Sequence, residues 1–126
     1  MSILLVFVVG LIIYYQILPK NLAGKYGARG YENNYDTIWF RNNSTYKRKF
    51  IQKSTNQVFI QEGIWRLRNN RIYINYFYMN DDAEIIDDTI FKNLSSFGTS
   101  LMIDKTLTGF RLLQNGDLGW YYYKVK

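Results

Sequence analysis

From Asp36 to Val125 short runs of β-branched and aromatic residues are separated by turn signals rich in Asn, Ser or Gly, with no internal repeat. That rhythm constrains the fold more than any other feature, because it follows no helical period and each run can bury one side of an extended strand. Asp36 to Arg41 supplies Ile38, Trp39 and Phe40, and Asn42-Asn43 offers a turn into Thr45 to Gln52. Ser54-Thr55-Asn56-Gln57 turns into Val58 to Arg68. Asn69-Asn70, able to take positive φ at both turn positions, leads into a run from Arg71 to Tyr78. Asn80 to Asp88 reads as an acidic loop, and Thr89 to Phe91 and Thr99 to Asp104 as short strands. Gly109 to Leu113 turns through Asn115-Gly116 into Gly119 to Val125. The expectation is a mainly β domain over residues 35–126, an antiparallel barrel or a β-sandwich, since both show the same alternation.

The N-terminus follows a different rule. Ser2 to Leu18 carries no charge, and Ile3 to Ile13 is hydrocarbon apart from Gly10. As a helix Ser2 to Leu18 is about 25 Å long, slightly short of the ~30 Å hydrocarbon core of a bilayer. Tyr14 and Tyr15 fall where an interfacial aromatic belt sits, and Pro19-Lys20 ends the segment with a helix breaker and a charge. Residues 1–19 are therefore expected to form a single-pass transmembrane helix that meets membrane lipid through residues 2–18. A cleaved signal peptide fits less well: the basic n-region is missing, and Asn21 stands two residues before Ala23 where a small residue would be needed. Residues 20–34, with Gly24, Gly27 and Gly30, read as a juxtamembrane connection that includes a first short strand near Lys25-Tyr26. Lys20, Lys25 and Arg29 follow the span, a positive-inside bias toward a cytoplasmic domain. A folded domain can be translocated despite such charge, so the side stays open.

Composition removes whole classes of chemistry. The chain has no histidine and no cysteine, hence no imidazole base, no thiol nucleophile and no disulfide. No paired carboxylates or Ser-Lys arrangement stands out in their place, and the expectation is a non-enzymatic protein without cofactor or metal. Asp81, Asp82, Glu84, Asp87 and Asp88 could offer oxygen ligands to a hard cation, but their spacing does not match a calcium loop, and a solvated acidic loop is the simpler account.

Asp36-Thr37-Ile38-Trp39-Phe40, Ser44-Thr45-Tyr46 and Gly63-Ile64-Trp65-Arg66-Leu67 before Arg71-Ile72-Tyr73-Ile74 resemble small bacterial membrane-anchored β-meander domains described as lipocalin-like. The likeness covers roughly Gly24 to Tyr78 and implies an antiparallel β fold. It departs from true lipocalins, whose Gly-x-Trp lies on the first barrel strand, whereas Gly63 and Trp65 lie about midway. Both are expected to be structural: Gly63 at a bulge or close backbone contact, Trp65 as a core aromatic.

The remaining signal is a basic and aromatic surface. Between Arg41 and Arg71 the only acid is Glu62, while Lys47, Arg48, Lys49, Lys53, Arg66 and Arg68 are all basic. A net charge of +6 is compatible with nucleic acid, but an anchored chain meets anionic lipid constantly, so nucleic acid is disfavoured. Lys47, Arg48, Lys49, Arg66, Arg68, Tyr121 and Tyr123 form the candidate interaction surface, because Arg and Tyr are enriched where proteins bind one another. The sequence reads as a membrane-anchored interaction module, an accessory subunit or immunity-type protein with a protein partner. The alternative is a lipocalin-like carrier of a small hydrophobic ligand, which needs an apolar cavity.

Overall fold

The computed structural model describes residues 3–8, 19–94, 98–107, 109–115 and 119–125. Eight antiparallel strands follow one another around a closed barrel: β1 (Gly24–Arg29), β2 (Asn34–Phe40), β3 (Thr45–Gln52), β4 (Gln57–Arg68), β5 (Arg71–Ile74), β6 (Thr99–Thr106), β7 (Gly109–Asn115) and β8 (Trp120–Lys124). Each strand pairs with its neighbours in sequence, and β1 closes on β8 with Tyr26 opposite Lys124 and Arg29 opposite Tyr121. The barrel is thus the realised member of the expected pair, and its up-and-down order is compatible with a lipocalin-like barrel. Closure removes free sheet edges. It also draws the connection at residues 20–34 into the fold, since β1 lies within it.

The turns form where the sequence marks them. Ser44, Asn56, Asn69 and Asn70 all have positive φ, at 66°, 58°, 49° and 63°. Two expectations need correction. The strand expected from Arg71 to Tyr78 ends at Ile74. There the Asn75 side chain takes the Ile64 N–H at 2.8 Å, Tyr76 turns the chain at φ 50°, and Phe77 enters the barrel. Thr89 to Phe91 is helical, inside α2 (Asp88–Lys92), because the Asp87 carboxylate caps it by accepting the Thr89 N–H at 2.9 Å. Of the two readings for Gly63 the close approach is the one realised: the β3–β4 register runs through it unshifted, and a Cβ there would stand 2.2 Å from Asn75 Oδ1.

Alternate side chains fill the interior. Tyr26, Ile38, Phe40, Tyr46, Trp65, Ile72, Ile74, Leu101, Ile103, Leu112 and Tyr122 make one cluster with Leu22 and Phe77. Leu22 comes from α1 (Pro19–Leu22), whose carbonyl accepts the Tyr26 hydroxyl at 2.7 Å, so the segment leading into β1 plugs one mouth. The other mouth is covered by the long β5–β6 connection: Phe50, Phe59 and Ile86 cluster with Tyr78, Ala83 and Phe91, the last stacked 4.2 Å from Phe59. Asp82 fastens this cover by accepting the backbone N–H groups of Glu32 and Asn33, each at 2.9 Å.

The expected membrane span falls mainly on residues outside the described set. Residues 3–8 are helical with exposed apolar side chains, and no helix among the described residues is long and apolar enough to cross a membrane.

Candidate interaction surface

Inside the barrel, between the two apolar clusters, lies a polar layer built around Arg48, which is fully buried. Its placement follows from strand alternation: Tyr46, Arg48 and Phe50 point inward on β3, and Lys47 and Lys49 point away. Arg48 is therefore corrected from a surface candidate to a core residue. All five of its donors are used. Nε donates to Asp36 Oδ1 at 2.8 Å and Nη2 to Oδ2 at 2.6 Å; the remaining N–H groups go to Gln61 Oε1 at 2.7 Å, the Tyr78 carbonyl, and the Tyr122 hydroxyl at 3.2 Å. The guanidinium lies 4.0 Å from the centre of the Phe77 ring.

Tyr122 OH stands 2.6 Å from Asp36 Oδ2 and 2.8 Å from Gln114 Oε1, so its single proton is shared between two acceptors. Asn80 Nδ2 donates to Asp36 at 3.2 Å, and Gln114 Nε2 donates to the Asn80 carbonyl. Burial, then the Asp36 charge, push the Tyr122 phenol well above its ordinary pKa. Burial works against the Arg48 cation, but Asp36 and then Tyr122 outweigh it and raise the guanidinium pKa. The layer presents fixed, mutually satisfied groups and no accessible nucleophile or base.

The outer wall of β2, β3 and β4 is different. Registered pairing sets Lys25, Trp39, Lys47 and Glu62 in one row, Thr37, Lys49 and Ile60 in the next, and Tyr35, Ile51 and Val58 in a third. Tyr35 is 61% exposed, Val58 48%, Ile60 51% and Ile64 60%, an unusual density of apolar side chains on an outward face. Trp39, Arg41, Lys47, Lys49, Val58 and Ile60 line an open cleft of about 610 Å³. Lys25 Nζ lies 4.7 Å from the Trp39 ring centre and Lys53 Nζ 4.4 Å from that of Tyr35. The result is a mixed surface: apolar side chains on β2 and β4 are separated by Lys47 and Lys49 on β3 and flanked by Lys25 and Lys53.

The predicted surface residues do not form one site. Lys47 and Lys49 line this cleft. Arg66 borders a neighbouring cleft with Ile64 and Tyr73, and Arg68 stands at the β4–β5 turn. Tyr121 and Tyr123 lie on the β7–β8–β1 wall beneath cations: Arg111 is 3.7 Å from the Tyr121 ring centre and Arg29 4.3 Å from that of Tyr123. Arg111 is in turn held by Asp104 at 2.7 Å. Trp65 is buried and donates from Nε1 to the Arg41 carbonyl at 2.9 Å, the core role expected of it. The residues that sequence reasoning missed are Tyr35, Trp39, Val58 and Ile60. Their signal was present: on β4, Val58, Ile60 and Ile64 share the parity opposite to Phe59, Gln61 and Trp65, so both faces of that strand carry apolar residues. Comparison with protein-family models, with curated proteins and with solved structures gives no match.

Proposed function

We propose that this protein is a non-enzymatic interaction module, tethered to a membrane by its leader, whose barrel docks a protein partner through the β2–β3–β4 wall. The observation that carries the reading is the exposed set Tyr35 and Trp39 on β2 and Val58 and Ile60 on β4, with Lys47 and Lys49 between them on β3. Burying those side chains against a partner removes apolar area from water, while the central lysines select a surface with carboxylates facing β3. A small barrel also suits a ligand carrier, but here the polar layer and the aromatic clusters occupy the interior and both mouths are covered, which favours docking on the outside. The absence of histidine and cysteine from the sequence and the enclosure of Asp36, Arg48 and Tyr122 support a non-catalytic role.

The test is capture of partners by the full chain extracted in mild detergent, with protein and lipid identified by mass spectrometry, alongside an Ile60→Asp variant. A stoichiometric protein that the wild type retains and the variant loses is the expected result. A co-purifying lipid without such a protein, retained by the variant, would instead make the chain a carrier.

A further inference from the structure

The up-and-down topology sends every second connection to the same end of the barrel. α1, which follows the leader in sequence, the β2–β3, β4–β5 and β6–β7 turns and the end of β8 all lie at one mouth, the leader end; the β1–β2, β3–β4 and β5–β6 connections lie at the other. Charge segregates along this axis. At the leader end stand Lys25, Arg41, Arg68, Arg71 and Lys124; at the far end stand Glu32, Asp81, Asp82, Glu84 and Asp87, with Arg29, Lys53 and Lys92 among them. Asp104, on β6, is ion-paired with Arg111, and among the described residues no carboxylate pairs with Arg41, Arg68 or Arg71.

Two further observations mark the leader end. Arg68 and Arg71 face each other directly across the β4–β5 hairpin, a like-charge pair that an external anion would relieve. Leu107, at the tip of the β6–β7 turn, is 100% exposed, and Trp39 is partly exposed beside Lys25. Cations, an interfacial tryptophan and an apolar loop tip at one end of a molecule match the layered chemistry of an anionic bilayer surface.

We infer that the leader end of the barrel is a docking site for anionic lipid headgroups: the barrel stands on the bilayer with its basic rim in the headgroup layer, Leu107 at the interface and the acidic end turned away. The inference rests on the leader entering the same bilayer, and the leader end meets the β2–β3–β4 wall at Trp39 and Arg41, which line the cleft there.

The chain contains no cysteine, so single-cysteine variants Leu107→Cys and Glu84→Cys can each carry an environment-sensitive fluorophore. The full chain is incorporated into nanodiscs of phosphatidylcholine with or without phosphatidylserine. In discs containing phosphatidylserine the label at position 107 should shift to the blue and be quenched by lipid-borne quencher. High salt should reverse the effect, and the label at position 84 should not respond. Adding Arg68→Gln and Arg71→Gln should weaken the response at 107 by roughly ten-fold or more, at about five-fold per cation, without lowering the melting temperature. A label at 107 that stays in water in both discs, or responds equally in neutral ones, overturns the inference. So does a label that responds to a single-stranded oligonucleotide and not to phosphatidylserine, which would assign the rim to nucleic acid. Migration of the chain with neutral discs reports the leader alone. If that fails while the label still responds in anionic discs, the headgroup site stands and the anchor does not.

Discussion

Arg48 shows how much one side chain can organise. A buried guanidinium is tolerable only when every donor has a partner, and here five acceptor atoms on four residues come from β2, β4, β8 and the β5–β6 connection. The layer therefore ties distant parts of the barrel to one geometry. Replacing Asp36 by Leu or Arg48 by Met alone should each cost about 3–5 kcal/mol, because each leaves an uncompensated buried charge. The double replacement should cost clearly less than the sum, since no unpaired charge remains. Urea denaturation of the four proteins in a double-mutant cycle measures this coupling, and additive losses would show that the two residues act independently. The parity that buries Arg48 was legible, because Lys47 and Lys49 already marked the outward face. Its partners were not: Asp36, Gln61 and Tyr122 lie far apart in the chain and meet only when the barrel closes.

The elements were most predictable where backbone chemistry is local. Asn69 and Asn70 both occupy left-handed φ, as a tight hairpin turn requires. Asn70 is also bound to the neighbouring strand, its Nδ2 donating to the Ile103 carbonyl at 3.0 Å, whereas Asn69 is exposed. Asn69→Val should thus lower stability by about 1–2 kcal/mol, while Asn69→Gly should leave it nearly unchanged. Thermal melts of the two variants separate these outcomes, and equal losses would mean that the side chain, not the φ angle, matters. Prediction failed where local propensity met a tertiary demand. Tyr76, Phe77 and Tyr78 favour a strand, but the open mouth of the barrel takes the Phe77 ring and Arg48 takes the Tyr78 carbonyl. Thr89 to Phe91 looked extended because a one-turn helix leaves no period to detect, and only the Asp87 cap hinted at it.

At the scale of the molecule, tyrosine links the core to pH. Burial raises the pKa of the Tyr26, Tyr31, Tyr46, Tyr78 and Tyr122 phenols in the folded state. An unfolded tyrosine ionises near pH 10. Below that value both states keep the proton and these groups add no pH dependence. Above it the unfolded chain loses protons that the folded chain retains, so stability falls as pH rises. Tyr122, fully buried, should contribute a slope of about 1.4 kcal/mol per pH unit. Denaturant midpoints at increasing pH, with phenolate absorbance followed in parallel, check this; Tyr122→Phe should flatten the slope. Phenolate signal from every tyrosine before unfolding would refute the account.

The sequence by itself determined the parts that short-range physics governs. These are the antiparallel β class, most strand limits, the Asn-marked turns, the inward place of Trp65 and the exclusion of His and Cys chemistry. Only the tertiary structure decided between barrel and sandwich, because β1–β8 closure is a pairing between opposite ends of the chain that leaves no trace in local alternation. It likewise decided that the seven candidate surface residues are dispersed, that Trp39 and Ile60 line one cleft with Lys47 and Lys49 between them, and that the charges divide between the two mouths. Each of these depends on which strands become neighbours and which connections share an end, quantities set by topology and register rather than by the identity of any one residue.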